Sequence, residues 1–196
     1  MKRFAVFLTM ILGCGNASAL IITTTGATGG EAAGNPVNQD IYSVTIESTD
    51  VGSIFNLNWA FSGADEVSAT GAFTILGYNN DTGYLDLGVS ITNTSTTSSS
   101  SNPRVMSFGF NTNPGVTALT VSDTSLTDTD IFVASALNTN FPAFGNIDVC
   151  VFAQNCTGGN INKGLASGET DEMLLHMTGD FSGSTTFYMS DFAMKF

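Results

Sequence analysis

What the sequence most lacks is positive charge. Five Lys and Arg face seventeen Asp and Glu across 196 residues, with one His, for a formal net charge of −12. Nucleic acid is excluded as a partner, because its phosphates require a Lys/Arg footprint. An anionic membrane surface is excluded on the same ground. Charge of any sign is sparse at 11% of residues, against roughly 25% in ordinary soluble domains. Water must therefore be met by hydroxyls, amides and backbone. No apolar run after the N-terminal one approaches the ~18 residues of a membrane-spanning helix, so no transmembrane segment is expected.

The catalytic inventory is equally thin. The single His, His176, sits in Met173-Leu174-Leu175-His176-Met177. No G-x-S-x-G elbow exists for a Ser–His–acid hydrolase, and Gly164-Leu165-Ala166-Ser167-Gly168 places its Ser one position late. Of the three cysteines Cys14 lies in the N-terminal apolar segment, and one His with the remaining Cys couple cannot supply four zinc ligands; glycine-rich phosphate loops are absent. Glycoside hydrolysis needs only two carboxylates, but Asp65-Glu66 and Asp171-Glu172 are adjacent pairs. On a strand, neighbours point to opposite faces. The expectation is a protein that is not an enzyme and has no resident cofactor, with calcium as the one candidate ion.

Residues 1–19 read as a signal peptide. Lys2 and Arg3 precede an apolar run over 4–12, and Ala17-Ser18-Ala19 offers the small-residue site for cleavage before Leu20. Ile11-Leu12-Gly13-Cys14 also resembles a lipobox, which makes a lipid anchor at Cys14 on an outer-membrane lipoprotein the alternative to secretion. Cleavage after Ala19 leaves Arg104, Lys163 and Lys195 against all seventeen acids, three minus seventeen, or −14. Cys150 and Cys156 remain in the run Cys150-Val-Phe-Ala-Gln-Asn-Cys156. In an exported chain two such cysteines are expected to form a disulfide.

What is present is period-two alternation. Residues 20–40 are rich in Thr, Gly and Ala and read as an extended leader, with an edge strand over 20–25. In Ile54-Phe55-Asn56-Leu57-Asn58-Trp59-Ala60-Phe61 the apolar Phe55, Leu57, Trp59 and Phe61 share one face, with Asn56 and Asn58 opposite. Further strands are expected over 41–47, 67–78, 83–92, 104–111, 116–121, 129–133, 147–152, 170–178 and 185–195. Turn signals such as Asn79-Asn80-Asp81-Thr82-Gly83 and Asn113-Pro114-Gly115 punctuate them. The predicted fold is all-β: a single two-sheet β-sandwich over 41–196, jelly-roll or Ig-like, with about nine or ten strands. Nine of the eleven residues in 92–102 are Ser or Thr, which reads as a flexible surface loop. Few lysines guard the strand edges, so an edge is open to use in association.

Two binding chemistries suit this inventory. Asp123, Asp128 and Asp130, with intervening hydroxyls and carbonyls, offer hard oxygen ligands for calcium, although the Gly and terminal Glu of an EF-hand are absent. Trp59, Tyr42, Tyr78, Tyr84 and Tyr188 are candidate stacking platforms for sugars. Trp59 lies on a core face, whereas Tyr78 and Tyr84 bracket a turn as cross-strand partners would and are the expected exposed pair.

The C-terminal half carries an ordered series of short motifs. Val105-Met106-Ser107-Phe108-Gly109-Phe110-Asn111-Thr112-Asn113-Pro114-Gly115 comes first, then Asn146-Ile147-Asp148-Val149-Cys150-Val151-Phe152-Ala153 and Cys156-Thr157-Gly158-Gly159. Leu175-His176-Met177-Thr178-Gly179-Asp180-Phe181 and Phe192-Ala193-Met194-Lys195-Phe196 follow. Over residues 41–196 the series resembles the cistern family of exported bacterial PEP-CTERM-type proteins. That resemblance implies a secreted, cysteine-bridged β protein of unknown molecular activity, found with bacteria that make extracellular polysaccharide. The family's Pro-Glu-Pro signal, apolar helix and basic tail have no counterpart before Phe196. The expected role is structural or adhesive, in the envelope or extracellular matrix, with exopolysaccharide or other matrix proteins as partners. The alternative is a carbohydrate-binding module, assisted or not by calcium.

Overall fold

The structure, a computed structural model, describes residues 21–26, 40–61, 67–96, 102–124, 130–142 and 144–196. The proposed signal peptide, Cys14, Asp128 and most of the 20–40 leader lie outside these residues. Thirteen strands are described: β1 Ile21–Gly26, β2 Asp40–Ile46, β3 Ile54–Phe61, β4 Val67–Asn79, β5 Tyr84–Asn93, β6 Arg104–Val105, β7 Ser107–Asn113, β8 Ala118–Asp123, β9 Ala134–Phe141, β10 Gly145–Phe152, β11 Leu165–Ala166, β12 Thr170–Thr178 and β13 Phe187–Lys195. They form an antiparallel six-stranded sheet, β1-β2-β13-β7-β10-β9, a five-stranded sheet, β3-β4-β5-β12-β8, and a short ladder of β11 with β6.

The pairing is nested. β2 pairs with β13, β5 with β12 and β7 with β10, and β8 touches β9. The three hydrogen-bonded pairs alternate between the two sheets as in a jelly roll, but β8 and β9 lie in different sheets, β9 pairing with β10 instead. The β3–β4 hairpin widens one sheet beyond these pairs and β1 the other, so the leader's edge strand joins the sandwich.

Alternation explains the core. Phe55 and Leu57 of β3, Phe73 and Ile75 of β4, Leu85 to Ile91 of β5 by twos, and Met173, Leu175 and Met177 of β12 face inward against Phe108, Phe110, Val149, Val151 and Met189. Phe73 is its hub, stacked on Phe55 at 4.9 Å and edge-on to Phe108 and Phe192. Trp59 packs over Gly71, where a Cβ would stand 2.9 Å from the indole, and its Nε1 donates to the Phe192 carbonyl at 3.0 Å.

Two expectations fail locally. The strand placed at 129–133 begins instead at Ala134. Ile131 and Phe132 turn their backbone N–H groups to the buried Asp171 carboxylate, at 3.2 and 2.7 Å. The Ser/Thr-rich loop starts pinned rather than free. Asn93 is fully buried and donates through Nδ2 to the carbonyls of Pro103 and Leu165, and Ser95, also buried, donates its N–H to Asn93 Oδ1.

Candidate functional site

The cysteines form the expected disulfide, with Cα atoms 6.3 Å apart. Both are buried in a small second hydrophobic cluster with Phe141, Ile147 and Ala193. The bridge anchors the loop over 156–164, and the three bases of residues 20–196 gather there. Arg104 Nη1 donates to the Gly164 carbonyl at 2.8 Å and Lys195 Nζ to that of Gly158 at 3.0 Å, while Lys163 sits exposed on the loop itself. Partial burial lowers the Lys195 pKa.

The tyrosine pair does not form. Tyr78 opposes Leu85 and Tyr84 opposes Asn79, so the two rings fall on opposite faces. A register shift between Ile75 and Gly77 leaves Leu76 as an extra residue, 53% exposed. That one-residue bulge flips the alternation and sends Tyr78 into the core against Phe187. Only 6% of Tyr78 is exposed, which withdraws it as a stacking platform. Its hydroxyl is buried without a hydrogen-bond partner among the described residues, and desolvation raises its pKa. Tyr84 stays half-buried on the outer face, stacked on the His176 ring, and His176 Nδ1 meets Asp86 Oδ1 at 2.5 Å. The lone histidine thus faces a sheet neighbour.

Asp123 and Asp130 do converge. Both line a cleft of about 100 Å3 with Val121, Phe132, Asp171 and Glu172. Asp171 is spent on the two backbone N–H groups described above. Among the described residues no group of three His, Cys, Asp or Glu side chains is placed to hold a metal ion.

The arrangement that sequence reasoning missed lies on the six-stranded sheet. Continuing the registers of β9–β10, β10–β7 and β7–β13 sets Asn138 opposite Asp148, Asp148 opposite Asn111, and Asn111 opposite Ser190. Along this line side chains replace backbone rungs. The Asp148 N–H donates to Asn111 Oδ1 at 3.0 Å, and Asp148 Oδ2 accepts from the Thr112 N–H at 2.7 Å. Asn111 Nδ2 and Ser190 Oγ both donate to Asp191 Oδ2, at 2.9 and 3.0 Å. Asp191 sits in a bulge at φ +53°, and Asn138 has φ +49°; both are left-handed conformations that Asn and Asp tolerate best among residues with a side chain. The Oδ1 atoms of Asp148 and Asp191 accept no hydrogen bond from the described residues. Tyr188, 39% exposed, stands two residues before Ser190 on the outer face, opposite the exposed Asn113.

Comparison with protein families, with curated proteins and with solved structures finds no match to this chain. Among the described residues, no helix is long and apolar enough to cross a membrane. The class established by the fold and the bridge is a disulfide-bridged, two-sheet β-sandwich.

Proposed function

We propose that the protein is an exported, non-enzymatic component of a bacterial envelope or extracellular matrix, with a structural or adhesive role. The observation that carries this reading is the β3 edge. β3 pairs with β4 through eight consecutive residues without a shift, and among the described residues it pairs with nothing else. Its sequence, IFNLNWAF, holds no charge and no proline. An even, uncharged edge strand is a template for pairing with another chain, which soluble monomers usually block with Lys, Pro or a bulge. The disulfide fits an oxidising compartment. The resemblance to cistern proteins points to the same setting.

Light scattering on size-exclusion fractions tests this reading. Association that grows with concentration is expected, and Asn58→Lys, which places a cation on the exposed face of the edge, should abolish it while leaving the melting temperature unchanged. A protein that stays monomeric at every concentration, and is missing from the matrix fraction of its cells, would overturn the reading.

A further inference from the structure

The interrupted line on the six-stranded sheet has the chemistry of a binding surface, and it is independent of the β3 edge. We infer that Tyr188, Asn113, Ser190, Asp191, Asn111 and Asp148 form a binding face for an uncharged polysaccharide.

Tyr188 supplies the apolar element. Its neighbours Phe187 and Met189 are fully buried, so alternation turns the Tyr188 ring outward, where it is 39% exposed. An exposed aromatic ring on a sheet offers a flat apolar face with a polar tip, which suits the C–H face of a sugar ring. Asn113 lies directly across the strand pair and Ser190 next along β13. A sugar seated on Tyr188 therefore meets an amide on one side and a hydroxyl on the other.

The carboxylates supply acceptors in fixed positions. Asp191 and Asp148 each engage donors through Oδ2, and both are tied to Asn111. Among the described residues no donor reaches their Oδ1 atoms, whose lone pairs suit the hydroxyls of a ligand. Because Asp191 is held at φ +53° and Asn111 bonds to both sides, these acceptors are ordered before a ligand arrives, and preorganisation lowers the entropic cost of binding. Sugar hydroxyls are the donors that suit acceptors spread over a face that also carries an aromatic ring.

The absence of charge on the ligand follows from electrostatics. The nearest base along β13 is Lys195, four residues past Asp191, which is roughly 13 Å at 3.3 Å per residue, and its ammonium already donates to Gly158. Two carboxylates without a facing cation repel a uronate or sulfate, and a net charge of −12 adds to the repulsion. The residues come from three neighbouring strands, β10, β7 and β13, and a polymer lying across the strands can reach them together.

Affinity electrophoresis of the purified, oxidised protein tests the inference, through native gels cast with amylopectin, galactomannan, xyloglucan or mixed-linkage β-glucan and with alginate as the polyanion. The expected result is retardation in at least one neutral gel, none in alginate, and no change on adding chelator. Tyr188→Thr keeps a strand-forming residue and should weaken binding roughly tenfold, about the 1.4 kcal/mol of an aromatic contact. Tyr188→Phe should retain it. Asp191→Ala should weaken binding as well, and if that variant fails to fold, Asn113→Ala at the exposed edge of the same face reads the polar contribution. Free migration in all four neutral gels would overturn the inference. So would retardation that survives Tyr188→Thr, or retardation seen only in alginate. None of these outcomes bears on self-association through β3, which is measured without glycan.

Discussion

The five-stranded sheet pairs without gaps except at one register shift, whereas the six-stranded sheet interrupts its pairing along one line. In the first, β3 and β4 pair through eight consecutive residues, β5 and β12 through nine, and the one shift is at Leu76. In the second, rungs are missing at Asn138, Asp148 and Asn111, and β13 bulges at Asp191. Among the described residues, both non-glycine residues with positive φ belong to the six-stranded sheet. An even ladder uses its backbone groups on itself, and its outer face carries Thr, Ser, Ala and Asn together with Tyr84, Asp86, Glu172 and His176. A broken ladder must satisfy its backbone with side chains, and that is what gathers Asn111, Asp148 and Asp191 although they are far apart in sequence. Regularity here makes an edge; irregularity makes a polar site.

Three substitutions probe that contrast. Phe73→Ala, at the centre of the even sheet, is expected to cost the most, about 3–5 kcal/mol, because Phe55, Phe108 and Phe192 all close on that ring. Equilibrium denaturation measures it. Gly109→Ala tests the broken sheet. A Cβ there would overlap Ile147 Cδ1 and the Val149 carbonyl oxygen, and the expected cost is about 1–3 kcal/mol, smaller because the interrupted strands can shift. A loss at Gly109 equal to that at Phe73 would reverse the comparison and make the six-stranded sheet the stiffer one.

Tyr78→Phe, at the single irregularity of the even sheet, has the smallest expected effect and the opposite sign. Removing a buried hydroxyl that has no partner should stabilise the fold by up to about 1 kcal/mol. Its pH dependence follows from linkage. Burial raises the folded-state pKa of Tyr78, so the folded protein keeps a proton that the unfolded chain releases near pH 10. The associated stability is complete below that pH and is lost as the pH climbs through it. Thermal melts of the parent and the variant should therefore diverge above pH 10, with the variant losing less. Parallel curves would place the Tyr78 hydroxyl in contact with water.

The same contrast separates what could be read from the sequence from what could not. Phe55, Leu57 and Trp59 alternate with Asn56 and Asn58 because β3 runs in an even ladder, and there the pattern and the strand coincide. Likewise the short Cys150–Cys156 spacing fixes its own partner. Tyr78 was misplaced because a one-residue bulge at Leu76 leaves no mark in composition yet inverts every side chain after it. β9, with sequence ASALNTNF, has few β-branched residues and is a strand because β10 pairs with it, while the more apolar Ile131-Phe132-Val133 is drawn out of the ladder by Asp171. The polar line was invisible for a different reason: Asn111, Asp148 and Asp191 are ordinary residues singly, and only the order of strands makes them neighbours. Asp123 and Asp130, close in sequence, line one cleft, and that closeness was legible.

The nested pairing also sets an order in time. β8 and β9 are neighbours in the chain and can meet early, β7 must wait for β10, β5 for β12, and β2 for β13, whose last residue is Lys195. A chain delivered N-terminus first therefore cannot close its outermost pair until almost all of it has emerged. The outermost pair is therefore the last to form, and the sandwich is complete only once β13 has docked between β2 and β7.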